Sequence, residues 1–337
     1  MKNHQIRVGL LGAGRIGKIH ATSLVTRTPA AKLVAVADVY APAAEALGKE
    51  FGLIASDDPQ TIITDPSIDA VLICSSTDTH ATLTIAAAQA GKHIFCEKPL
   101  DFSLERIDMV LAAVQEAGVK LMIGFHRRFD ANFSKVKQML EDGHIGEPHI
   151  LRITSRDPTP PPLSYIQVSG GIFLDMTIHD FDMAQFLFGE IDEVYVAGGV
   201  LVDPAIQEAG DIDTALISLK FSCGAFGVID NSRQAVYGYD QRIEAFGSAG
   251  MVDVENNRPN SHTYSSAAGI LREKPHYFFL ERYSAAYISE INAFIDCVLN
   301  DTTSPVTGID ARAPVAIALA ARRSHRENRP VKINEIQ

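Results

Sequence analysis

No stretch of the 337-residue chain is apolar for the length of a membrane span, no segment repeats, and no low-complexity tract interrupts it. These absences exclude a transmembrane helix and a repeat architecture. Basic residues are in the minority, with 30 Lys and Arg against 41 Asp and Glu and a formal charge of −11. An acidic surface attracts neither nucleic acid nor an anionic membrane, so neither is expected as a partner. Cysteines are few, and Cys74, Cys96, Cys223 and Cys297 show no C-x-x-C spacing. They read as buried free thiols of a reducing compartment. Met1-Lys2-Asn3-His4-Gln5 leads directly into a strand without a signal-peptide pattern, so a soluble, cytoplasmic protein is expected. What the chain does have is apolar material: 46% hydrophobic residues, over a length that allows two domains.

The run Ile6–Leu11 is β-rich and flows into Gly12-Ala13-Gly14-Arg15-Ile16-Gly17, after which residues 18–24 have helical spacing. Strand, G-x-G-x-x-G and helix is the context a dinucleotide fingerprint requires. Gly12 permits the tight turn, Gly14 lets the backbone approach a pyrophosphate, and Gly17 lets helix and strand pack closely. The helix start, with Arg15 and Ile16, offers aligned N–H groups to the phosphates. The next strand, 32–37, ends at Asp38, about twenty residues after the last glycine, where an acid hydrogen-bonds the adenosine ribose. Asp38 repels a 2′-phosphate, and Val39-Tyr40 offers no arginine to bind one, so NAD is favoured over NADP. After a fourth strand at 71–74, Ser75, Thr77 and His80 stand at the switch-point edge as candidates for the ribose and nicotinamide side of the cofactor.

A further β-rich run, 92–96, ends in Glu97-Lys98-Pro99. Ligands in open α/β sheets sit at the carboxyl ends of the strands, which places Glu97 and Lys98 near the cofactor. Proline restricts the residue before it and so fixes the direction of Lys98; the bond can also be cis. The same tripeptide recurs at Glu273-Lys274-Pro275, in a turn-rich region with no fingerprint nearby, and reads there as a loop.

The block Gly170-Gly171-Ile172-Phe173-Leu174-Asp175-Met176-Thr177-Ile178-His179-Asp180 sets a carboxylate and an imidazole four residues apart on what reads as one helix, 175–188. Residues at i and i+4 share a face. A carboxylate beside a histidine is a proton-handling unit, because the anion fixes the ring and stabilises its charged form.

Strands alternate with helical stretches up to Phe125, which predicts a parallel, doubly wound sheet. Beyond it the pattern changes. Helical 132–142 and 175–188 flank a strand at 149–155, and alternating runs follow at 193–202, Thr214–Phe221, 225–232 and 241–246. Glycine-containing turns at 222–224 and 247–250 join neighbours, so these runs predict an antiparallel sheet. Its polar alternation leaves one face uncovered by helices, and that face is expected to be buried by another subunit. Two helices, 285–299 and 311–323, close the chain, and the proline-dense 158–162 is stiff enough to wall a pocket.

The G-x-G-x-x-G start, the E-K-P after the fifth strand, Gly124-Phe125-His126-Arg127-Arg128-Phe129 and the 170–180 block together resemble the glucose-fructose oxidoreductase/inositol dehydrogenase/rhizopine catabolism family, over nearly the whole length. The resemblance implies an α/β protein: an NAD-binding Rossmann domain at 1–125, then a substrate-binding domain at 126–337 with a large, mostly antiparallel open sheet used for homotetramer assembly. It implies Lys98, Asp175 and His179 as the catalytic trio, and substrate contacts from Arg127, Asp157 and Tyr237. His126 stands where many relatives have a smaller residue, and Asp157 where some have Asn. Both positions bear on which polyol is bound.

The implied activity is oxidation of a polyol by hydride transfer to NAD, with myo-inositol giving its 2-ketone. Other substrates of the same class are scyllo-inositol, D-chiro-inositol and aldoses, and a non-catalytic NAD-sensing protein is the alternative of another class. Hydride leaves readily only from an alkoxide-like centre, so the chemistry asks for a base at the hydroxyl. His179 suits that role, with Asp175 as its partner and a second hydroxyl anchor, and Lys98 as the cation that lowers the alcohol's pKa. His179, Asp175 and Asp182 mimic metal-ligand spacing, but Lys98 aimed at the same cleft opposes a cation, so no metal is expected.

Overall fold

The structure is a computed structural model that describes residues 5–336. The chain forms two compact units: Met1–Phe129 with Ala285–Val315, and Asp130–Ser284 with Ala316–Gln337. The division expected at 125/126 placed 285–315 in the second domain. By its contacts this segment belongs to the first, because the helix Ser284–Leu299 buries Tyr287, Ile291, Phe294 and Ile295, and Phe294 meets Phe95 at 5.9 Å.

The first unit is built on six parallel strands: β1 (Ile6–Leu11), β2 (Ala31–Ala37), β3 (Ile54–Ser56), β4 (Ala70–Ile73), β5 (His93–Cys96) and β6 (Leu121–Ile123). Their order is β3-β2-β1-β4-β5-β6. The central strands are near-continuous apolar runs, and all four residues of β4 are buried, as expected of a sheet covered on both faces. The strand order reverses between β1 and β4. Chains leaving those two strands diverge to opposite faces, which opens a crevice at their carboxyl ends. The helices Arg15–Arg27 and Thr77–Gln89 follow β1 and β4, and Glu97-Lys98-Pro99 follows β5.

The second unit carries β7 (Pro148–Arg156), β8 (Ile191–Gly199), β9 (Thr214–Phe221), β10 (Phe226–Ser232), β11 (Asp240–Gly247), β12 (Met251–Val254), a separate hairpin of β13 (Thr263–Ser266) and β14 (Gly269–Arg272), and β15 (Val331–Lys332). The large sheet runs β12-β11-β7-β10-β9-β8-β15. Its pairings among the described residues are antiparallel except for β10 with β7, which are parallel from Phe226 opposite Ile150 to Ser232 opposite Arg156. Alternation assigns the faces. On β9, Ala215, Ile217, Leu219 and Phe221 are buried while Leu216, Ser218 and Lys220 are exposed. The helix Ile178–Phe188, buried on nearly every side, packs against β7.

Two expectations need correction. The helix expected over 175–188 is broken: a short helix, Ile172–Asp175, ends before Met176 and Thr177, and a second begins at Ile178. Thr177 donates its amide five residues back to Ile172 at 2.9 Å, a wide turn that its hydroxyl stabilises by donating to Asn231 at 2.6 Å. Cys223, expected to be buried, is exposed in the β9–β10 turn, while Cys96 and Cys297 are buried and Cys74 is half-buried. No helix among the described residues is long and apolar enough to cross a membrane.

Candidate active site

In the first unit the glycine loop has the shape of a cradle. Gly12 has φ +104°, and a Cβ there would lie 2.5 Å from the Cys74 backbone. A Cβ on Gly17 would lie 1.9 Å from the Gly12 carbonyl oxygen, so helix and loop touch only because both residues lack a side chain. Gly14 differs. A Cβ built on it meets nothing within 4 Å, and as N-cap of the helix Arg15–Arg27 it has no side chain to cap the first turn. Open space at the N-terminus of a helix that follows a glycine loop is what a pyrophosphate fills. Asp38, just past β2, accepts from Ala13 N at 2.7 Å and from Tyr40 N at 2.9 Å, so its carboxylate stands beside this loop. The glycine loop and Asp38 therefore have the shape and chemistry that fit a dinucleotide.

Ser75 and Thr77 are half-buried at the end of β4 and the start of its helix, and Ser75 Oγ lies 2.7 Å from Thr79 Oγ1. His80, the third candidate at this edge, is buried. Its Nδ1 lies 2.8 Å from the Pro99 carbonyl and its Nε2 3.0 Å from the Ser75 carbonyl, so both nitrogens are spent clamping two loops of the unit. Burial opposes charge on this ring, but the neighbouring Cys96 and the two carbonyls outweigh it and push its pKa up to about 9. Lys98 is half-buried, and its bond to Pro99 is cis. Glu97 accepts from Lys98 N at 3.3 Å and lies 2.7 Å from His20 Nε2. Arg127 is buried in the turn His126–Phe129 after β6, where His126 stacks on Tyr287 at 4.5 Å.

In the second unit Asp175 is held from two sides. Tyr165 donates its hydroxyl to Oδ1 at 2.9 Å, and Arg233 Nη1 lies 3.3 Å from Oδ2. Arg233 is 1% exposed and is shared with Asp211 at 3.5 Å. Asp211 in turn accepts from Ile172 N at 3.1 Å, the start of the short helix that ends in Asp175. His179 is buried one turn further on, and the next residue, Asp180, belongs to a fully buried polar layer in which Asn231 donates to Asp180 at 2.9 Å and to the Ser155 carbonyl at 3.2 Å. Helical dihedrals persist through Met176 and Thr177, so the Asp175–His179 segment keeps turning despite its break.

Asp157, half-buried after β7, is fixed by its backbone to Ser232 and Ala235. Tyr237 accepts from Arg156 at 3.1 Å and donates to Asp240 at 2.5 Å; burial and Asp240 push its hydroxyl pKa upward. Arg156 also pairs with Asp230. The residues missed by sequence reasoning are Arg233, Asp211 and Tyr165. Arg233 lies 58 positions from Asp175, and no local pattern links them. Among the described residues, one group has metal-ligand atoms within 4.8 Å of one another: His20, Glu97 and Glu290, in the first unit.

Residues 6–125 match the family model described as an oxidoreductase family with an NAD-binding Rossmann fold, and residues 133–253 match the GFO/IDH/MocA C-terminal domain. The chain belongs to the GFO/IDH/MocA oxidoreductase family, and its first unit is an NAD-binding Rossmann domain. It is 50% identical to myo-inositol 2-dehydrogenase of Thermotoga maritima, over 98% of this chain and 99% of that one. It is 48% identical to inositol 2-dehydrogenase of Rhizobium meliloti, over 97% and 99%. A solved structure of scyllo-inositol dehydrogenase from Lactobacillus casei, with bound NAD(H) and scyllo-inositol, superposes with a TM-score of 0.92 at 31% identity, covering 98% of this chain and 99% of that one.

Gly14→Val tests the cradle. The space at Gly14 admits a side chain without a clash, so the fold should keep its melting temperature while the dissociation constant for NADH rises by more than about tenfold in a fluorescence titration. Unchanged binding would move the cofactor away from this loop. His80 gives a pH signature. A pKa raised from 6.5 to about 9 means that its stabilisation is complete below pH 6.5 and is lost as pH rises through about 9. Melting curves of the protein and of His80→Gln should therefore differ most on the acidic side of that window and converge on the alkaline side.

Proposed function

We propose that this chain is an NAD-dependent inositol 2-dehydrogenase that oxidises myo-inositol to 2-keto-myo-inositol. The observation that carries the reading is Asp175, anchored by Tyr165 and the buried Arg233 on the segment that leads into His179, in a chain whose other unit binds NAD. A sensor of the cofactor has no use for such a unit. The relatives at 50% and 48% identity are named for myo-inositol and inositol, and one named for scyllo-inositol stands at 40%, an ordering that supports the myo isomer.

NAD, when bound, supplies the acceptor for the hydride. His179 takes the hydroxyl proton as general base, which makes the oxygen alkoxide-like so that its electron pair forms the carbonyl as the C–H pair leaves as hydride. Asp175 stabilises the imidazolium that results, and its own orientation is set by Arg233 and Tyr165 rather than by the substrate. Lys98 provides an ammonium that favours negative charge on the reacting oxygen. A neutral polyol needs several fixed partners, and Arg127, Asp157 and Tyr237 suit the remaining hydroxyls. The Tyr237 oxygen, already accepting from Arg156 and donating to Asp240, keeps one lone pair for a substrate hydroxyl.

Assembly through the large sheet belongs to the same proposal. Its outer face exposes Ile150, Leu216, Phe226 and Phe246, with Ile150 opposite both Phe226 and Phe246 across three adjacent strands. Contiguous apolar side chains at the middle of a sheet favour a second copy over water, and a homotetramer is the expected product.

Two measurements test these statements. His179→Ala should lower kcat with myo-inositol by about 10²–10⁴ while NADH still binds, read from absorbance of the reduced cofactor. A near-normal rate removes His179 as the base, and no turnover by the parent protein of any cyclitol or aldose favours the sensor. Phe226→Glu should shift sedimentation from tetramer toward smaller species without a change in far-ultraviolet circular dichroism. An unchanged sedimentation coefficient would clear the sheet face of this role.

A further inference from the structure

The first unit buries three ionisable side chains that the proposed reaction does not use directly. His20 comes from the helix after the glycine loop, Glu97 from the end of β5, and Glu290 from the helix Ser284–Leu299; His20 and Glu290 are fully buried, and the Glu97 side chain is 10% exposed. Phe95 and Tyr287 flank the His20 ring edge-on at 5.1 and 5.7 Å, so no water layer separates it from its neighbours. His20 Nε2 lies 2.7 Å from Glu97 Oε1 and 4.0 Å from Glu290 Oε1. Two carboxyl groups at one nitrogen favour the tautomer with its proton on Nε2, which then donates to Glu97.

Glu290 is the unusual member. Neither of its oxygens has a hydrogen-bond partner, although the side chain is fully buried. Burial, and then the nearby Glu97, push its carboxyl well above the ordinary range, which favours the neutral acid. Glu97 itself is confined. One oxygen meets His20, the other accepts from Lys98 N at 3.3 Å, and a Cβ on Gly124 would come within 3.1 Å of its carboxyl group.

We propose that His20 and Glu290 are positioning residues: together they fix Glu97, and Glu97 fixes the backbone at Lys98. Glu290 acts as a neutral acid whose dipole holds the Nε2 edge of His20 toward Glu97. This rests on the reading of Lys98 as a catalytic cation. A small displacement of such a group is enough to slow a reaction about 10²-fold.

The test compares His20→Phe, Glu290→Leu and Glu290→Gln in the full-length protein, by amide-resolved hydrogen exchange, NADH titration, melting temperature and steady-state kinetics with myo-inositol. His20→Phe and Glu290→Leu should speed exchange at the Lys98 amide and lower kcat by about 10- to 100-fold, with the NADH dissociation constant and the polyol KM little changed. Glu290→Gln, neutral and of the same shape, should restore both readouts. Unaltered exchange at Lys98 in the first two variants overturns the proposal, as does Glu290→Gln behaving like Glu290→Leu. Loss of NADH affinity in step with kcat also overturns it, because the cluster would then belong to the cofactor site. So does a stoichiometric divalent metal that survives dialysis against a chelator, because Glu290 would then be its ligand. If the parent protein turns over no polyol, the proposed function fails, while exchange at Lys98 still decides the positioning role. Should His20→Phe not fold, the Glu290 pair decides alone.

Discussion

A cation buried among apolar residues is tolerated only where carboxylates meet it, and in the second unit Arg233 meets two. Around that pairing the local geometry is fixed. Asp211 ties one end of Arg233 to the backbone at Ile172, and Asp175 takes the other end at the close of the same short helix. Arg233 also donates its backbone amide to the Asp213 carbonyl at 2.8 Å. Remove the guanidinium and two carboxylates lose their counter-charge within one buried region, which costs about 3–5 kcal/mol in comparable cases. The Asp175–His179 unit is thus a product of the sheet behind it as much as of its own helix.

The Rossmann unit depends on a different constraint, the absence of side chains. Gly12 and Gly17 let loop, helix and β4 meet at distances no Cβ allows, whereas a Cβ at Gly14 would meet nothing within 4 Å. The two kinds of glycine have opposite consequences: one kind closes packing and the other leaves the helix start open to a phosphate. Only the second is directly about ligand.

Much of this was legible in sequence because it is periodic or local. The alternation over Thr214–Phe221 predicted β9 to the residue, and the glycine loop with Asp38 behind it was found from spacing alone. Other features left no such trace. β13 and β14 are exposed along their whole length, so they lack the inward-outward pattern by which strands are read. The break after Asp175 has no glycine or proline to announce it; it follows from Thr177 bonding to Asn231, a partner 54 positions away. The two carbonyl partners of His80, at Pro99 and Ser75, are also invisible in sequence, because one of them lies 19 positions away across a different loop. The return of 285–315 to the first unit is likewise a matter of contacts between distant residues, such as Phe294 with Phe95.

The parallel match of β10 to β7 carries a kinetic implication. Both strands of an antiparallel hairpin are near in the chain, but Asn231 reaches Ser155 across 76 positions, and β8 and β9 intervene. Closing a loop of that size is entropically slow compared with forming the β8–β9 and β9–β10 hairpins. Both neighbours of β7, namely β10 and β11, come from more than sixty positions further along the chain, so the Asn231 bonds to Asp180 and to the Ser155 carbonyl can form only once that later chain is in place.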